Sequence, residues 1–228
     1  VAAEVVERLE RTLLEDMRVA AFKIGVLGSV DNVVAIAGIV ADHPDIPLVF
    51  DPVLTSGRGD DLAGDAVISA MREFLLPLTT VLTPNVPEAW RLADFQADDD
   101  EPGIDFCGQR LIAMGVRYVL ITGTHESTPE VINTLHGRDG VLRRDYWKRL
   151  SGSYHGSGCT LASAIAGYLA GGAGIEDAVH AAQDYTWRTL ASGFRPGRGQ
   201  FIPDRFFRTR SSGDNAGLNE TEGTGHGQ

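Results

Sequence analysis

Residues 47–52, Pro47-Leu48-Val49-Phe50-Asp51-Pro52, are a short apolar run that ends on an acid and is stopped by a proline. Three large apolar residues in succession read as a strand buried on both faces, because a half-exposed strand would alternate. The same pattern recurs at Val19–Gly25, at Thr80–Thr83 (cut by Pro84) and at Tyr118–Thr122 (YVLIT). Helical spacing fills the intervals. Ser29 and Asp31 can cap a helix over Val33–Ala41, Asp65 opens one running to about Leu75, Val86–Leu92 follows with Pro87 in its first turn, and Ile104–Met114 is the fourth. Upstream, Val5, Val6, Leu9, Leu13 and Leu14 mark an amphipathic opening helix. Downstream, Val131–His136 and Gly140–Tyr146 form a hairpin around Arg138-Asp139-Gly140, and Ser157–Leu169 and Ile175–Leu190 are two further helices. Strands alternating with helices predict an α/β fold: a mainly parallel sheet with helices on both faces. Ligands in such folds sit beyond the carboxyl ends of the strands, at a switch in strand order.

The chain has 228 residues, 43% hydrophobic and 22% charged, as an ordinary globular domain does. Its formal net charge of −11 makes it a poor non-specific partner for nucleic acid or an anionic membrane. Phosphates would have to be met by local devices. No uncharged apolar run reaches the roughly 18 residues that span a bilayer. Two cysteines, Cys107 and Cys159, exclude a disulfide framework. The expected setting is cytoplasmic. The chain begins at Val1 in helical pattern, which predicts that its own N-terminus is missing. Asp98–Glu101 reads as a solvated acidic loop, and a Ser-, Gly-, Asn-, Thr- and Glu-rich tail after Phe207 reads as disordered. The division expected is one folded domain over 1–208, incomplete at its N-terminal side, and a tail over 209–228.

Four places carry chemistry. Gly156-Ser157-Gly158-Cys159-Thr160 opens a helix. Its glycines permit a tight turn and close approach, and the first helical N–H groups converge under the positive end of the macrodipole, an anion hole suited to a phosphoryl group. The same field is expected to lower the Cys159 thiol pKa; the alternative is a plain helix start with a packed cysteine. Thr83-Pro84-Asn85-Val86-Pro87-Glu88 puts an amide and a carboxylate three apart at a strand end, hard ligands suited to Mg²⁺, or equally an N-cap with its capping box. Asp51 is a candidate metal ligand or base, or a loop cap. Thr122-Gly123-Thr124-His125 fits phosphate contact or an ordinary turn. No Cys/His cluster has zinc spacing, and no Walker-type glycine loop occurs.

In this order, Lys23–Gly28 (KIGVLG), Val49–Val53 (VFDPV), Leu75–Pro77 (LLP), Leu82–Glu88 (LTPNVPE), Val119–His125 (VLITGTH) and Gly156–Thr160 (GSGCT) resemble the ribokinase-like vitamin kinases. Within them the chain resembles the hydroxymethylpyrimidine/phosphomethylpyrimidine kinases of thiamine biosynthesis, the cysteine in GSGCT being the discriminating residue. The resemblance implies a three-layer fold, ATP and Mg²⁺ as cofactors, and a small pyrimidine alcohol and its phosphate as substrates; the expected assembly is a homodimer. It also implies roles. Gly156, Ser157 and Gly158 would stabilise the transferred phosphoryl through their N–H groups, with Cys159 beside the attacking oxygen. Asn85, Thr122, Gly123 and Thr124 would lie at the ATP phosphates. Asp51 and Glu88 would serve the metal, and Val26 and Val53 would line the pyrimidine pocket. Two departures stand out. Thr122 occupies a position where many members carry lysine. The Gly-rich strand–loop with which the family begins is not seen, which predicts a sheet lacking a central strand and part of the acceptor site. Rival readings are a pyridoxal/pyridoxine kinase, favoured by Thr122, and a non-catalytic nucleotide-binding remnant.

Overall fold

The computed structural model describes residues 2–55, 61–95, 103–124 and 128–209. The acidic run at 98–101, most of the 55–61 loop, His125 and the tail beyond 209 lie outside the described residues.

Four parallel strands follow one another in space as in sequence: β1 (Phe22–Ile24), β2 (Leu48–Phe50), β3 (Val81–Leu82) and β4 (Tyr118–Thr122). The hairpin β5 (Glu130–Gly137) and β6 (Gly140–Lys148) adds antiparallel to β4, so the sheet is mixed and its order is β1-β2-β3-β4-β5-β6. The hairpin closes through Arg138 and Asp139, with Gly140 at φ +119°, where a side chain would be strained. Within the described residues the sheet has no gap. Its edges are β1 and β6, so a further strand would pair at one of them. Nor does strand order reverse among the parallel strands, so the crevice at their carboxyl ends is not made by a switch in order.

The pleat sorts the core into two. Ile24, Leu48, Phe50, Leu82, Val119 and Ile121 face one way. They pack under α2 (Val30–Ala41), α3 (Asp65–Ala70), α4 (Val86–Leu92) and α5 (Ile104–Ala113), the crossover helices. Val49, Val81, Leu120 and Leu135 face the other way. There α6 (Ser157–Ala170) and α7 (Ile175–Ala191) supply Leu161, Ala162, Ile165, Val179 and Ala182. The central strands β2, β3 and β4 are thus clad on both faces, as the unbroken apolar runs require. Past α3 the chain continues as a π-helical turn, Met71–Leu75, and a 3₁₀ turn, Leu76–Leu78, that carries Pro77 near its start.

The opening helix α1 (Ala3–Asp16) forms as its spacing predicts, but none of its residues is buried. Val5, Leu9 and Leu13 stand exposed, and the helix lies against α2. The apolar face of α1 therefore contributes little to the core. Two substitutions measure the contrast. Leu120→Ala should cost about 2–5 kcal/mol in urea denaturation, from lost contacts and a cavity between sheet and α6. Leu9→Gln should stay within about 0.5 kcal/mol of the unaltered chain.

Candidate active site

The carboxyl ends of β1–β4 open on one side of the sheet, and the N-terminus of α6 arrives there from the opposite layer, against β1 and β2. That placement brings Gly156–Thr160 to Asp51. Gly156 is the N-cap, in the left-handed region at φ +82°, which explains a glycine there. A side chain at Gly158 would stand 3.7 Å from Asp51 Oδ1. The Ser157, Gly158 and Cys159 N–H groups lie in the first turn of a 14-residue helix, at the positive end of its dipole.

Asp51 sits just past β2 and is buried, with 5% of its surface exposed. Lys23 Nζ, from the middle of β1, reaches its Oδ2 at 3.5 Å, and the Cys159 thiol donates a hydrogen bond to the carboxylate. Burial raises the Asp51 pKa, opposed by the Lys23 charge and by the hydrogen bonds from Cys159 and Lys23. Cys159 departs from expectation. Loss of hydration and the Asp51 charge raise its pKa, and Lys23 and Arg205 pull it down without prevailing. Near neutral pH it is a thiol, not a thiolate: burial first, and the neighbouring carboxylate after it, hold the proton on sulfur.

The Asn85–Glu88 pair forms the capping box. Asn85 Oδ1 accepts from Glu88 N–H at 2.9 Å, and Glu88 Oε2 accepts from Asn85 N–H at 3.0 Å. Glu88 does more than cap. Its Oε1 accepts from Leu54 N–H at 3.2 Å, so the same buried carboxylate ties the chain after β2 to α4. Burial lifts its pKa to about 7, and the charge of Asp51 adds to the rise. Two buried carboxylates that each resist ionisation, one raised by the other, are a donor set that a hard divalent cation would relieve. Among the described residues no group of three or more His, Cys, Asp or Glu side chains could hold a metal ion. A Mg²⁺ ion would complete its shell with waters and phosphate oxygens, as is usual for it.

Thr122 and Asn85 are neighbours: Thr122 N–H donates to Pro84 O at 2.9 Å, and a single bridge joins the two residues. Gly123 and Thr124 continue the loop. Gly123 N–H donates to Asn133 Oδ1 at 3.2 Å, and Thr124 O accepts from Arg149 at 2.8 Å. Asn133 belongs to a buried polar network that sequence reasoning missed. Its Nδ2 donates to Gln183 Oε1 (2.8 Å), which also accepts from Trp147 Nε1 (2.9 Å). Gln183 Nε2 donates to Asp145 Oδ2 (2.9 Å), and Asp145 Oδ1 is met by Arg143 Nε at 2.7 Å and His180 Nδ1 at 2.9 Å. These residues sit on strands and a helix whose polar members carry no motif.

The placements are uneven. Asp51, Glu88, Gly156, Ser157, Gly158 and Cys159 come together; Asn85, Thr122, Gly123 and Thr124 form the adjoining loop pair. Val53 is half-buried beside Asp51, and Val26 is 59% exposed. Lys23 had no role assigned from sequence, yet it is the cation on Asp51. A shallow depression lined by Gly103, Asp105, Thr134, Arg144 and Tyr146 lies elsewhere and touches none of these residues.

The layered sheet, with a phosphate-ready turn at its strand ends, is the architecture of the ribokinase-like kinases. A pyridoxal kinase of Bacillus subtilis in an ADP complex superposes with a TM-score of 0.81 at 25% identity, over 92% of this chain and 79% of that one. The phosphomethylpyrimidine kinase from Clostridium difficile 630 does so at 0.68 and 27% identity, over 82% and 75%. The chain belongs to the phosphomethylpyrimidine kinase family, whose pattern matches residues 1–204. It is 36% identical over 200 residues to a hydroxymethylpyrimidine/phosphomethylpyrimidine kinase of Streptomyces coelicolor, covering 86% of this chain and 72% of that protein. It is 34% identical to a thiamine biosynthesis bifunctional protein of Geobacter sulfurreducens, covering 86% and 40%. Among the described residues no helix is long and apolar enough to cross a membrane.

Two outcomes are expected from the ionisations. Both thiols are raised, Cys107 to about 11. Iodoacetamide at about pH 7.5 should therefore modify Cys159 more slowly than free cysteine, with the rate climbing as pH rises further. Modification at or above the free-cysteine rate, read by mass spectrometry, would mean that the helix field dominates. Glu88 has a folded pKa of about 7 against an ordinary 4.5, so between those values the folded state holds the extra proton. Stability is then lost as pH rises through that window. In EDTA, the fall in Tm from about pH 5 to about pH 8 should be smaller for Glu88→Gln than for the unaltered protein. An identical fall would show that Glu88 is already ionised at the lower pH.

Proposed function

We propose that this protein is the kinase that transfers the γ-phosphoryl group of ATP to 4-amino-5-hydroxymethyl-2-methylpyrimidine and to its monophosphate, a step of thiamine biosynthesis. Family membership supports the reaction class, and the observation that carries the assignment is Cys159 at the α6 N-terminus, hydrogen-bonded to Asp51. ADP and AMP-PCP complexes among the fold neighbours support ATP as donor.

Phosphoryl transfer asks the protein mainly for positioning and charge. In this reading the Ser157, Gly158 and Cys159 N–H groups receive the phosphoryl oxygens, and the left-handed Gly156 lets the backbone turn toward them. The neutral Cys159 thiol stands at the attacking hydroxyl and orients it. As the new O–P bond forms and the β–γ bond breaks, the hydroxyl proton passes by way of Cys159 to Asp51, whose raised pKa suits it to accept. Thr122, Gly123, Thr124 and the Asn85 end of α4 line the phosphate chain of the nucleotide. Glu88 would hold Mg²⁺, with Asp51 reaching it only through water; bound there, the ion neutralises charge on the phosphates. Val53 and Val26 would meet the pyrimidine ring, and the exposure of Val26 leaves that side of the pocket to be closed by substrate or by further contacts.

A coupled ADP-release assay on the full-length protein, with the pyrimidine alcohol, its monophosphate and pyridoxal in parallel, tests the proposal. The pyrimidines should turn over with kcat/KM at least about tenfold above pyridoxal. A preference for pyridoxal would move the protein to the pyridoxal kinases, and no turnover on any of the three would leave a nucleotide-binding remnant. Cys159→Ala should lower kcat by about 10²-fold or more while leaving the KM for ATP near its original value, as expected for a group acting on the attacking hydroxyl. Near-normal kcat would reduce Cys159 to packing.

A further inference from the structure

The chain after α7 returns to the phosphoryl turn. Phe201 bridges to Tyr154 and Ile202 to Phe194, closing this segment onto the loop that precedes α6. Asp204 is buried; its N–H donates to Thr189 O at 2.9 Å, and its Oδ1 accepts from Phe206 N–H at 3.1 Å. Tyr185 Oη donates to Arg205 O at 2.9 Å. These bonds to α7 fix the backbone on both sides of Arg205.

The Arg205 side chain reaches from this frame to Gly156. Its Nε donates to Thr160 Oγ1 at 3.1 Å, and Thr160 Oγ1 in turn donates to Gly156 O at 2.7 Å. Arg205 Nη2 lies 3.2 Å from the point where a β-carbon on Gly156 would stand, so glycine there leaves room for the guanidinium as well as for the turn. The charge is felt at Cys159, where it opposes the rise in thiol pKa. Arg205 is exposed, and among the described residues no carboxylate pairs with it. Lys23, the other cation at the turn, is engaged by Asp51.

We infer that Arg205 is a catalytic residue of the transfer: its guanidinium binds oxygens of the γ-phosphoryl group beside the α6 N–H groups. The inference rests on the kinase reading above. The physical case is charge. A triphosphate brings several negative charges to a site that already holds Asp51 and Glu88, in a protein of net charge −11. Thr122 supplies no cation, and a helix terminus supplies about half a positive charge. Arginine's planar fork keeps donors free after the single bond from Nε, and they match phosphate oxygens.

Arg205→Ala and Arg205→Lys in the full-length protein test this. Three quantities are read: kcat with the pyrimidine alcohol, affinities for AMP-PCP and ADP by calorimetry, and Tm. Arg205→Ala should lower kcat by about 10²–10³-fold, the usual loss for one preorganised donor to a developing oxyanion. It should weaken AMP-PCP about tenfold or more, weaken ADP far less, and leave Tm nearly unchanged, because the side chain is exposed. Arg205→Lys, which keeps the charge but not the fork, should recover part of the loss. Unchanged kcat in Arg205→Ala, or equal weakening of both nucleotides together with a fall in Tm, would make Arg205 a structural prop of Thr160 and overturn the inference. If the unaltered protein binds nucleotides but phosphorylates no alcohol, the kinase reading fails while the AMP-PCP and ADP comparison still decides Arg205. Binding of neither nucleotide overturns both.

Discussion

A carboxylate buried at the end of β2 needs compensation, and much of the site is organised around that need. Asp51 has lost most of its water and its pKa is raised accordingly. Lys23 sits on the neighbouring strand in the residue pairing that puts Val49 beside it, so the ion pair is set by sheet register. The Cys159 thiol gives a hydrogen bond, and the α6 N-terminus brings its dipole within reach. These contributions come from different layers of the fold. A buried charge met in this way constrains how α6 can dock on the sheet, because shifting the helix would leave Asp51 short of partners.

The same logic explains why a cysteine at a helix N-terminus is not acidic. The terminus offers roughly half a charge, spread over several N–H groups. Asp51 offers a full charge of the opposite effect at hydrogen-bond distance from the sulfur. Burial of the thiol and then this nearer, larger charge decide, and Lys23 and Arg205 moderate without reversing them. A neutral thiol suits a reaction with a loose transition state, where orienting the nucleophile matters more than stripping its proton early.

Local signals made the elements legible. The strand at 118–122 and the helix at 86–92 fall where the apolar runs and the Asn85 cap place them, and the hairpin turns at Arg138-Asp139. The site core was legible too, since Asp51, Glu88 and Gly156–Cys159 are marked by Pro and Gly punctuation at strand and helix ends. What the chain did not disclose is what depends on distance in sequence. The Asn133–Gln183 bond spans 50 residues and the Arg205–Thr160 bond 45, and neither has a local pattern. The parallel order is consecutive, so strand adjacency among the described residues follows chain order. The opening helix shows a limit of pattern: amphipathic spacing establishes that a helix forms, not that its apolar side is covered.

The buried network behind Gly123 shows how the loop after β4 is held from the other face of the sheet. Gly123 N–H faces Asn133, and an amide can serve there only if its orientation is fixed. Gln183 fixes it by accepting from Asn133 Nδ2 while donating to Asp145, and Trp147 occupies the remaining lone pair of Gln183. Asp145, itself buried, is held in turn by Arg143 and His180 at the protein's edge. The chain of bonds runs from a surface guanidinium to a backbone amide in the loop after β4, with each polar group oriented by the next. Such networks are stabilising only when complete. Loss of one member, such as Gln183, would free Asn133 to flip and present its NH₂ to Gly123 N–H, donor against donor. The loop after β4 is therefore shaped from α7, the same helix whose Tyr185 and Thr189 hold the segment bearing Arg205. One helix on the far face of the sheet thus holds both the loop after β4 and the segment that places Arg205 beside Gly156.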